Sequence, residues 1–292
     1  MKIKKLSILG VGMIGGSLAR ALKRADACQT VVGFGRSEEK LRMAMDLGVI
    51  DEYSLRARDA VQGADMVVIA TPLSTNARLF ADIKASLPEN AVITDVGSAK
   101  GIVVKAAREN LGEKFANFVP GHPIAGKEKS GVEASSADLF EDHVVILTPG
   151  EETSIHALSN VTAMWEACLA EVITLDVEHH DDVLAATSHL PHVLAYALVD
   201  CLAKKQETEE VFSYAAGGFL DFTRIASSDP TMWHDICTAN RDSLLRMLDM
   251  FNEHLVQVRD AIEKNDSEKI HQVFSRAKET RDSVLSRKDS AR

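Results

Sequence analysis

An apolar run near the N-terminus reads as a buried strand that ends at Gly10, and from Ile14 to Arg24 the apolar positions recur at helical spacing. The alternation continues through the first half of the chain. Strands are predicted over Thr30–Phe34, Met66–Ala70, Ala91–Asp95, His143–Leu147 and Val172–Leu175. Helices are predicted from Ser37, as cap, to about Leu47, over Gly101–Leu111, and from about Ile155 to Cys168. After Asp176 the pattern changes, and nearly every segment reads as helix. Leu190–Leu202 is apolar almost all round, which predicts a helix buried on every side. Leu244, Leu248, Phe251, Leu255, Val258 and Ile262 alternate steps of four and three, a seam for packing against another helix or a second subunit. The tail, residues 281–292, is polar and is expected to fray.

Between the first strand and the first helix lies Gly10-x-Gly12-x-x-Gly15. In that setting Gly10 makes the tight turn, Gly12 admits backbone close to a pyrophosphate, and Gly15 lets helix and strand pack tightly. The helix start, with Met13 and Ile14, offers free N–H groups to the phosphates. Residues 1–174 are therefore expected to form an α/β Rossmann-type domain, with an all-α substrate and dimerisation domain over residues 175–292. Fifteen of the seventeen glycines fall in the first 150 residues, and only Gly217 and Gly218 lie beyond. A wholly buried helix in so small a helical domain needs cover from a partner chain, so a homodimer formed through that domain is expected.

The second strand normally ends on an acid that holds the adenosine ribose of NAD. Here the sequence is Gly35-Arg36-Ser37, which leaves room for a 2′-phosphate and supplies a cation to pair with it. This favours NADP, with Glu38 and Glu39 as the features that speak for NAD. Thr71, Pro72 and Ser98 follow strand ends on the same edge and are placed near the cofactor. Ser98 has a second reading, as the cap of the helix from Gly101.

Composition narrows the class of partner. The chain is 46% hydrophobic and 26% charged, with a formal net charge of −10, which argues against general binding to nucleic acid or an anionic membrane. Cys28, Cys168, Cys201 and Cys237 are far apart and form no CxxC, as expected of reduced thiols in a cytoplasmic protein. Lys2, Lys4 and Lys5 before an apolar run mimic a secretion signal, but glycines interrupt that run and Arg20 and Lys23 follow at once. No stretch is long enough to span a membrane.

The polar groups that suit chemistry are few. His122 sits between two prolines in Pro120-Gly121-His122-Pro123, a stiff turn expected to present the imidazole rather than pack it. His189 and His192 lie three apart on one helical face beside Pro191. That spacing suits two metal ligands, but nothing supplies a third and fourth, so no metal is expected. Arg224 follows Asp221 in Gly217-Gly218-Phe219-Leu220-Asp221-Phe222-Thr223-Arg224, and either anchors a carboxylate or pairs with Asp221. Trp233 follows a helix start at Asp229-Pro230 and is also readable as core.

Taken together, Gly10-x-Gly12-x-x-Gly15-Gly16-Ser17, Asp95-Val96-Gly97-Ser98-Ala99-Lys100, Gly121-His122-Pro123-Ile124-Ala125-Gly126, His189-Leu190-Pro191-His192 and the Gly217–Ala226 segment resemble the prephenate and arogenate dehydrogenases of tyrosine biosynthesis, in order and over nearly the whole chain. The resemblance implies oxidative decarboxylation of a cyclohexadienol with NAD or NADP. It makes His122 the acceptor of the hydroxyl proton and Ser98 its hydrogen-bonding companion. It also makes Arg224 the carboxylate anchor and places His192 near the substrate side chain. His180 and Glu128 match polar residues at the pocket entrance, and Trp233 matches a residue offered across the dimer. Lys127 departs from the smaller uncharged residue common there. A cation at that position suits the pyruvyl carboxylate of prephenate, although arogenate carries a carboxylate too.

Two other classes share these features in part. β-Hydroxyacid dehydrogenases and imine reductases have similar architecture but often use a helical lysine as proton donor, and the His122 and Arg224 segments count against them. A dimer that senses NADP without catalysis is the second alternative, against which the grouping of His122, Ser98 and Arg224 argues.

Overall fold

The computed structural model describes residues 2–126, 129–205 and 208–290. Strands β1 (Ile3–Leu9), β2 (Cys28–Phe34), β3 (Glu52–Ser54), β4 (Met66–Ile69), β5 (Val92–Asp95) and β6 (Phe118–Val119) form a parallel sheet in the order β3-β2-β1-β4-β5-β6. This is the doubly wound order of a dinucleotide-binding fold. Helices α1 (Met13–Arg24), α2 (Glu38–Asp46), α3 (Ala57–Ala60), α4 (Asn76–Ile83), α5 (Gly101–Leu111) and α6 (Ile155–Glu166) belong to the same half of the chain. With apolar cores on both of its faces, β4 is buried at every position. That explains why the predicted strands are continuous apolar runs rather than alternating ones. The Ser37 hydroxyl caps α2 by accepting from Lys40 N, as expected.

A second sheet follows. In it β7 (Gly121–Pro123) runs antiparallel to β8 (Val144–Leu147), which is parallel to β9 (Glu171–Thr174). His122 thus lies on a strand, opposite Ile146, and is only 8% exposed. The expected irregular, presenting turn is corrected here: the flanking prolines did not prevent pairing, because the His122 segment lies beside β8, where pairing satisfies its backbone.

Beyond β9 come α7 (Val177–Leu184), a π-helical turn over Ala185–His189, α8 (Leu190–Ala203), α9 (Thr208–Ser213), α10 (Gly217–Thr223), α11 (Pro230–Ala239), α12 (Arg241–Glu263) and α13 (Ser267–Ser290). Asp229 caps α11 by accepting from Thr231 N and Met232 N. Trp233 and Ile236 of α11 join the apolar cluster of Phe80, Ile93 and Phe118, so this helix packs onto the sheet domain. By compactness the chain divides into residues 1–243 and 244–292, the second unit holding most of α12 and all of α13.

Two helical expectations are corrected. Helix α8 is buried only at Leu190 and Ala195, since a single chain does not cover an apolar surface that runs all round. The tail does not fray at Arg281, for α13 stays helical to Ser290 and carries an i,i+4 ion pair, Lys278–Asp282 at 2.6 Å. Among the described residues no helix is long and apolar enough to cross a membrane.

Candidate active site

At the carboxyl ends of β1 and β4 the backbone leaves space where a phosphate-bearing ligand fits. Gly10 has φ +106°, and a Cβ there would stand 2.5 Å from Ala70 O and 2.9 Å from Thr71 N. The two strands therefore meet at Gly10 so closely that only glycine serves. A Cβ at Gly15 would collide with Gly10 O and lie 2.9 Å from Ile8 Cγ2. At Gly12 it would meet nothing within 4 Å. Gly12 is also the N-cap of α1 and offers no side-chain cap, so the first-turn N–H groups around Met13 and Ile14 are left for a ligand. These residues fit a dinucleotide pyrophosphate. Half-buried Thr71 and exposed Pro72 stand at the rim, and Arg36 is exposed just past β2. The Ser37 oxygen accepts the α2 cap bond.

Next to this crevice, at the end of β5, Asp95 and Lys100 form an ion pair out of solvent, with side chains 1% and 0% exposed. Lys100 Nζ donates to Asp95 Oδ2 at 2.5 Å and to Gly121 O at 2.6 Å. Asp95 also accepts from Gly97 N at 2.8 Å and Gly121 N at 3.2 Å. The pair thus clamps the first residue of β7 and holds the strand that carries His122. A Cβ at Gly97 would come within 2.5 Å of Leu73 Cδ2, which keeps this turn free of side chains. Burial pushes the Lys100 ammonium below its ordinary pKa, against the opposing pull of Asp95 and Asp181.

Behind His122 stand two residues of α7. His122 Nδ1 lies 2.9 Å from His180 Nε2, and His180 Nδ1 lies 2.8 Å from Asp181 Oδ1. Asp181 also accepts from Lys100 N at 2.8 Å and Gly101 N at 2.9 Å, and so caps α5. Ser98 is not that cap, and the half-buried hydroxyl is left to other work. His180 is fully buried rather than at an entrance, because its ring is held between His122 and Asp181. Burial pushes the His122 imidazole well below its ordinary pKa, helped by His180, Lys100 and His189, so the ring is neutral at physiological pH. Burial raises the Asp181 pKa, but the bonds from His180, Lys100 N and Gly101 N outweigh it and hold the carboxyl below the usual range.

His189 and His192 occupy different settings. The π turn that ends at His189 places its ring in the interior, fully buried, with Asn240 Nδ2 3.2 Å from Nδ1 and the Ser98 backbone in hydrogen-bonding contact with the ring. Asn240 Nδ2 also donates to Asp181 O at 2.7 Å, joining α7, the π turn and α11's C-terminus. His192 is half-buried and stacks on Trp233, with centroids 3.6 Å apart and planes at 21°. Trp233 is 8% exposed against a histidine of its own chain, which corrects the expectation that it is offered across a dimer: the apolar core around Phe80 claims the indole.

Burial pushes His189 down to about 4. Since its unfolded value is near 6.5, the unfolded chain binds more protons between those pH values, so stability is full above about 6.5 and is lost as pH falls toward 4. His189 alone is expected to cost about 2 kcal/mol at pH 5 relative to pH 7.5. Urea unfolding at the two pH values measures this, and His189→Gln is expected to shrink the difference by about that amount, leaving the share that His122 contributes.

Arg224 opens a 3₁₀ turn, Arg224–Ser227, and is exposed. The end of that turn is tied to α8 by Tyr196 Oη donating to Ser228 O at 2.6 Å. Lys127 and Glu128 lie outside the described residues. Sequence motifs give no role to Asp95 and Lys100 and do not single out Asp181 or Asn240. The signal for the first pair was an acid at a strand end five residues before a lysine, and for Asp181 its adjacency to His180.

Sheet order and glycine cradle define a dinucleotide-binding protein of the Rossmann class, with a buried histidine on the strand clamped to the end of β5. Comparison with known proteins narrows the class. Residues 18–174 match the nucleotide-binding domain of prephenate dehydrogenase and residues 176–276 its dimerization domain. The chain is 37% identical over 280 residues to the cyclohexadienyl dehydrogenase of Zymomonas mobilis, covering 95% of each. It is similar to the crystal structure of A. aeolicus prephenate dehydrogenase in complex with hydroxyphenyl propionate and NAD+, with TM-score 0.91, 36% identity, and coverage of 97% of this chain and 99% of that one. It is also similar to Synechocystis arogenate dehydrogenase, with TM-score 0.80, 26% identity, and coverage of 96% and 99%. The chain belongs to the prephenate dehydrogenase family.

Proposed function

We propose that this protein catalyses the NAD(P)-dependent oxidative decarboxylation of prephenate, L-arogenate or both, giving 4-hydroxyphenylpyruvate or L-tyrosine. The observation that carries the reading is a buried, neutral imidazole, His122, on a strand clamped to the carboxyl edge of the dinucleotide-binding sheet. When bound, the nicotinamide supplies the hydride acceptor. His122 takes the proton from the ring hydroxyl as hydride leaves the same carbon, and Ser98 orients that hydroxyl. The bond to the ring carboxylate then breaks, CO2 departs, and the electron pair left behind completes the aromatic ring. Arg224 anchors a substrate carboxylate, and His192, held against Trp233, lines the side-chain end. The protein contributes orientation, one proton acceptor and an anion clamp. Turnover of either substrate, with reduced nicotinamide and CO2 appearing together, tests the reading.

The division into a dinucleotide-binding domain over 1–174 and a substrate and dimerisation domain over 175–292 belongs to this proposal, as does the homodimer. Support for the dimer comes from the half-uncovered α8 and from Leu255, Ile262 and Phe274 of the second unit, which are 53%, 58% and 58% exposed.

We favour NADP as cofactor. Glu38 Oε1 accepts from Arg42 at 2.8 Å and from Tyr53 Oη at 3.0 Å, and is thereby drawn to partners on its own side of α2, while Arg36 stands at the strand end. Charge-assisted bonds contribute about 1.5–3 kcal/mol, so Arg36→Ala is expected to raise the KM for NADP by about tenfold or more and to leave that for NAD within about twofold. Equal changes for both cofactors, or a wild type that prefers NAD, contradict this assignment.

A further inference from the structure

We infer that His180 and Asp181 form a relay that fixes the tautomer of His122, leaving its Nε2 unprotonated to receive the substrate proton. The argument is a count of donors and acceptors. Asp181 accepts two backbone N–H bonds, from Lys100 at 2.8 Å and Gly101 at 2.9 Å, with both oxygens engaged at the start of α5. An ionised carboxylate has no proton to give, so across the 2.8 Å contact His180 Nδ1 must donate to Asp181 Oδ1. With one ring hydrogen, held on Nδ1 by that contact, His180 presents a bare Nε2. Across the 2.9 Å contact that nitrogen can only accept, so His122 donates from Nδ1. The remaining lone pair of His122 lies on Nε2, the atom free to act as base.

Each member of the chain is immobilised. His180 is fully buried, Asp181 is 8% exposed, and Asn240 Nδ2 ties the Asp181 carbonyl at 2.7 Å. The groups that face His122 are His180 from α7, Lys100 from the start of α5 and His189 from the π turn. Two of these are histidines and one is a cation, so nothing in direct charge contact stabilises an imidazolium. Asp181, reached through His180, is the anion that does so. When His122 gains the proton on Nε2, its Nδ1–H remains pointed at His180, and the carboxylate behind polarises the pair without itself being protonated. His180 and Asp181 are thus positioning residues, acting through His122 rather than on substrate.

This inference rests on the proposed proton transfer, but its most direct test does not require turnover. Nitrogen-15 NMR of ring-labelled histidines in the full chain, with His122→Asn to assign the signals, reads the tautomer. A pyridine-type Nε2 and a pyrrole-type Nδ1 at His122 are expected, and a protonated Nε2 overturns the relay. In the activity arm, His180→Gln is expected to lower kcat by about 10²–10³-fold while KM and cofactor Kd change less than about threefold. The acid limb of its kcat/KM profile is expected to shift from that of the wild type. If His180→Gln lowers the melting temperature but keeps kcat within threefold and an unmoved pH profile, the residue is only structural and the relay is refuted. Should that variant not fold, the wild-type tautomer decides alone. A wild type inactive on prephenate and arogenate refutes the proposed function and leaves the tautomer result to stand or fall by itself.

Discussion

His122→Asn is expected to lower kcat by at least about 10³-fold, the upper part of the range for removing a positioned general base, while the Kd for the dinucleotide stays within about twofold. Asparagine matches the reach of Nδ1 and retains a polar contact toward His180, so the β7 pairing, which uses backbone groups, is preserved. The cofactor cradle of Gly10, Gly12 and Gly15 contains no part of the side chain that is changed. Stopped binding and stopped chemistry are therefore separable in one variant. A general base works only when unprotonated, so the pH profile of the wild type carries the same information. Because burial and the neighbouring His180, Lys100 and His189 hold the imidazole well below its ordinary value, kcat/KM is expected to stay level as pH falls through 6.5 and to decline only in stronger acid. A variant that keeps a tenth of the wild-type rate, or an acid limb above pH 6.5, contradicts the role given to His122.

The second large effect concerns stability. Lys100→Met removes the ammonium that neutralises Asp95 and satisfies Gly121 O, and leaves a carboxylate 1% exposed without its ion-pair partner. Breaking a buried pair from one side costs about 3–5 kcal/mol, which for a protein of this size lowers the melting temperature by about 10 °C. Asp95→Asn leaves the opposite charge and is expected to destabilise by a similar amount. Removing both charges takes away the unpaired ion, so the Lys100→Met/Asp95→Asn protein is expected to be more stable than the sum of the single losses predicts. Strict additivity in that cycle would show that the two groups do not interact as a pair. Thermal unfolding of the four proteins at one pH supplies the comparison.

The parts of this molecule legible from sequence were those whose cause is local. Gly10 and Gly15 were readable because a turn and a close helix–strand approach demand glycine, and those approaches are found, against Ala70 O and Gly10 O. Ser37 as a cap and Asp229 as a helix start were readable for the same reason, each acting within three residues of itself. What escaped depends on contacts between distant segments. The His122–His180 contact joins residues 58 apart, and Asn240 reaches Asp181 across 59. No periodicity encodes such pairings. The Asp95–Lys100 pair was hidden for a different reason: charged residues are ordinarily exposed, and only the convergence of β5, β7 and α5 makes room for an ion pair out of water. Helix α8 reverses the case. Its apolar composition predicts more burial than one chain supplies, and the surplus is the surface that the proposed dimer would cover.

The proposed chemistry joins two events that simple oxidation of an alcohol does not, since hydride transfer and loss of CO2 must occur in equal number. We would therefore mix purified protein with prephenate or L-arogenate and NADP or NAD, and follow nicotinamide reduction and CO2 release in the same reaction. The account predicts one CO2 for each reduced nicotinamide with at least one of the four pairs, and silence from His122→Asn in all of them. Reduction without CO2, or no turnover from folded protein that binds the dinucleotide, would contradict it.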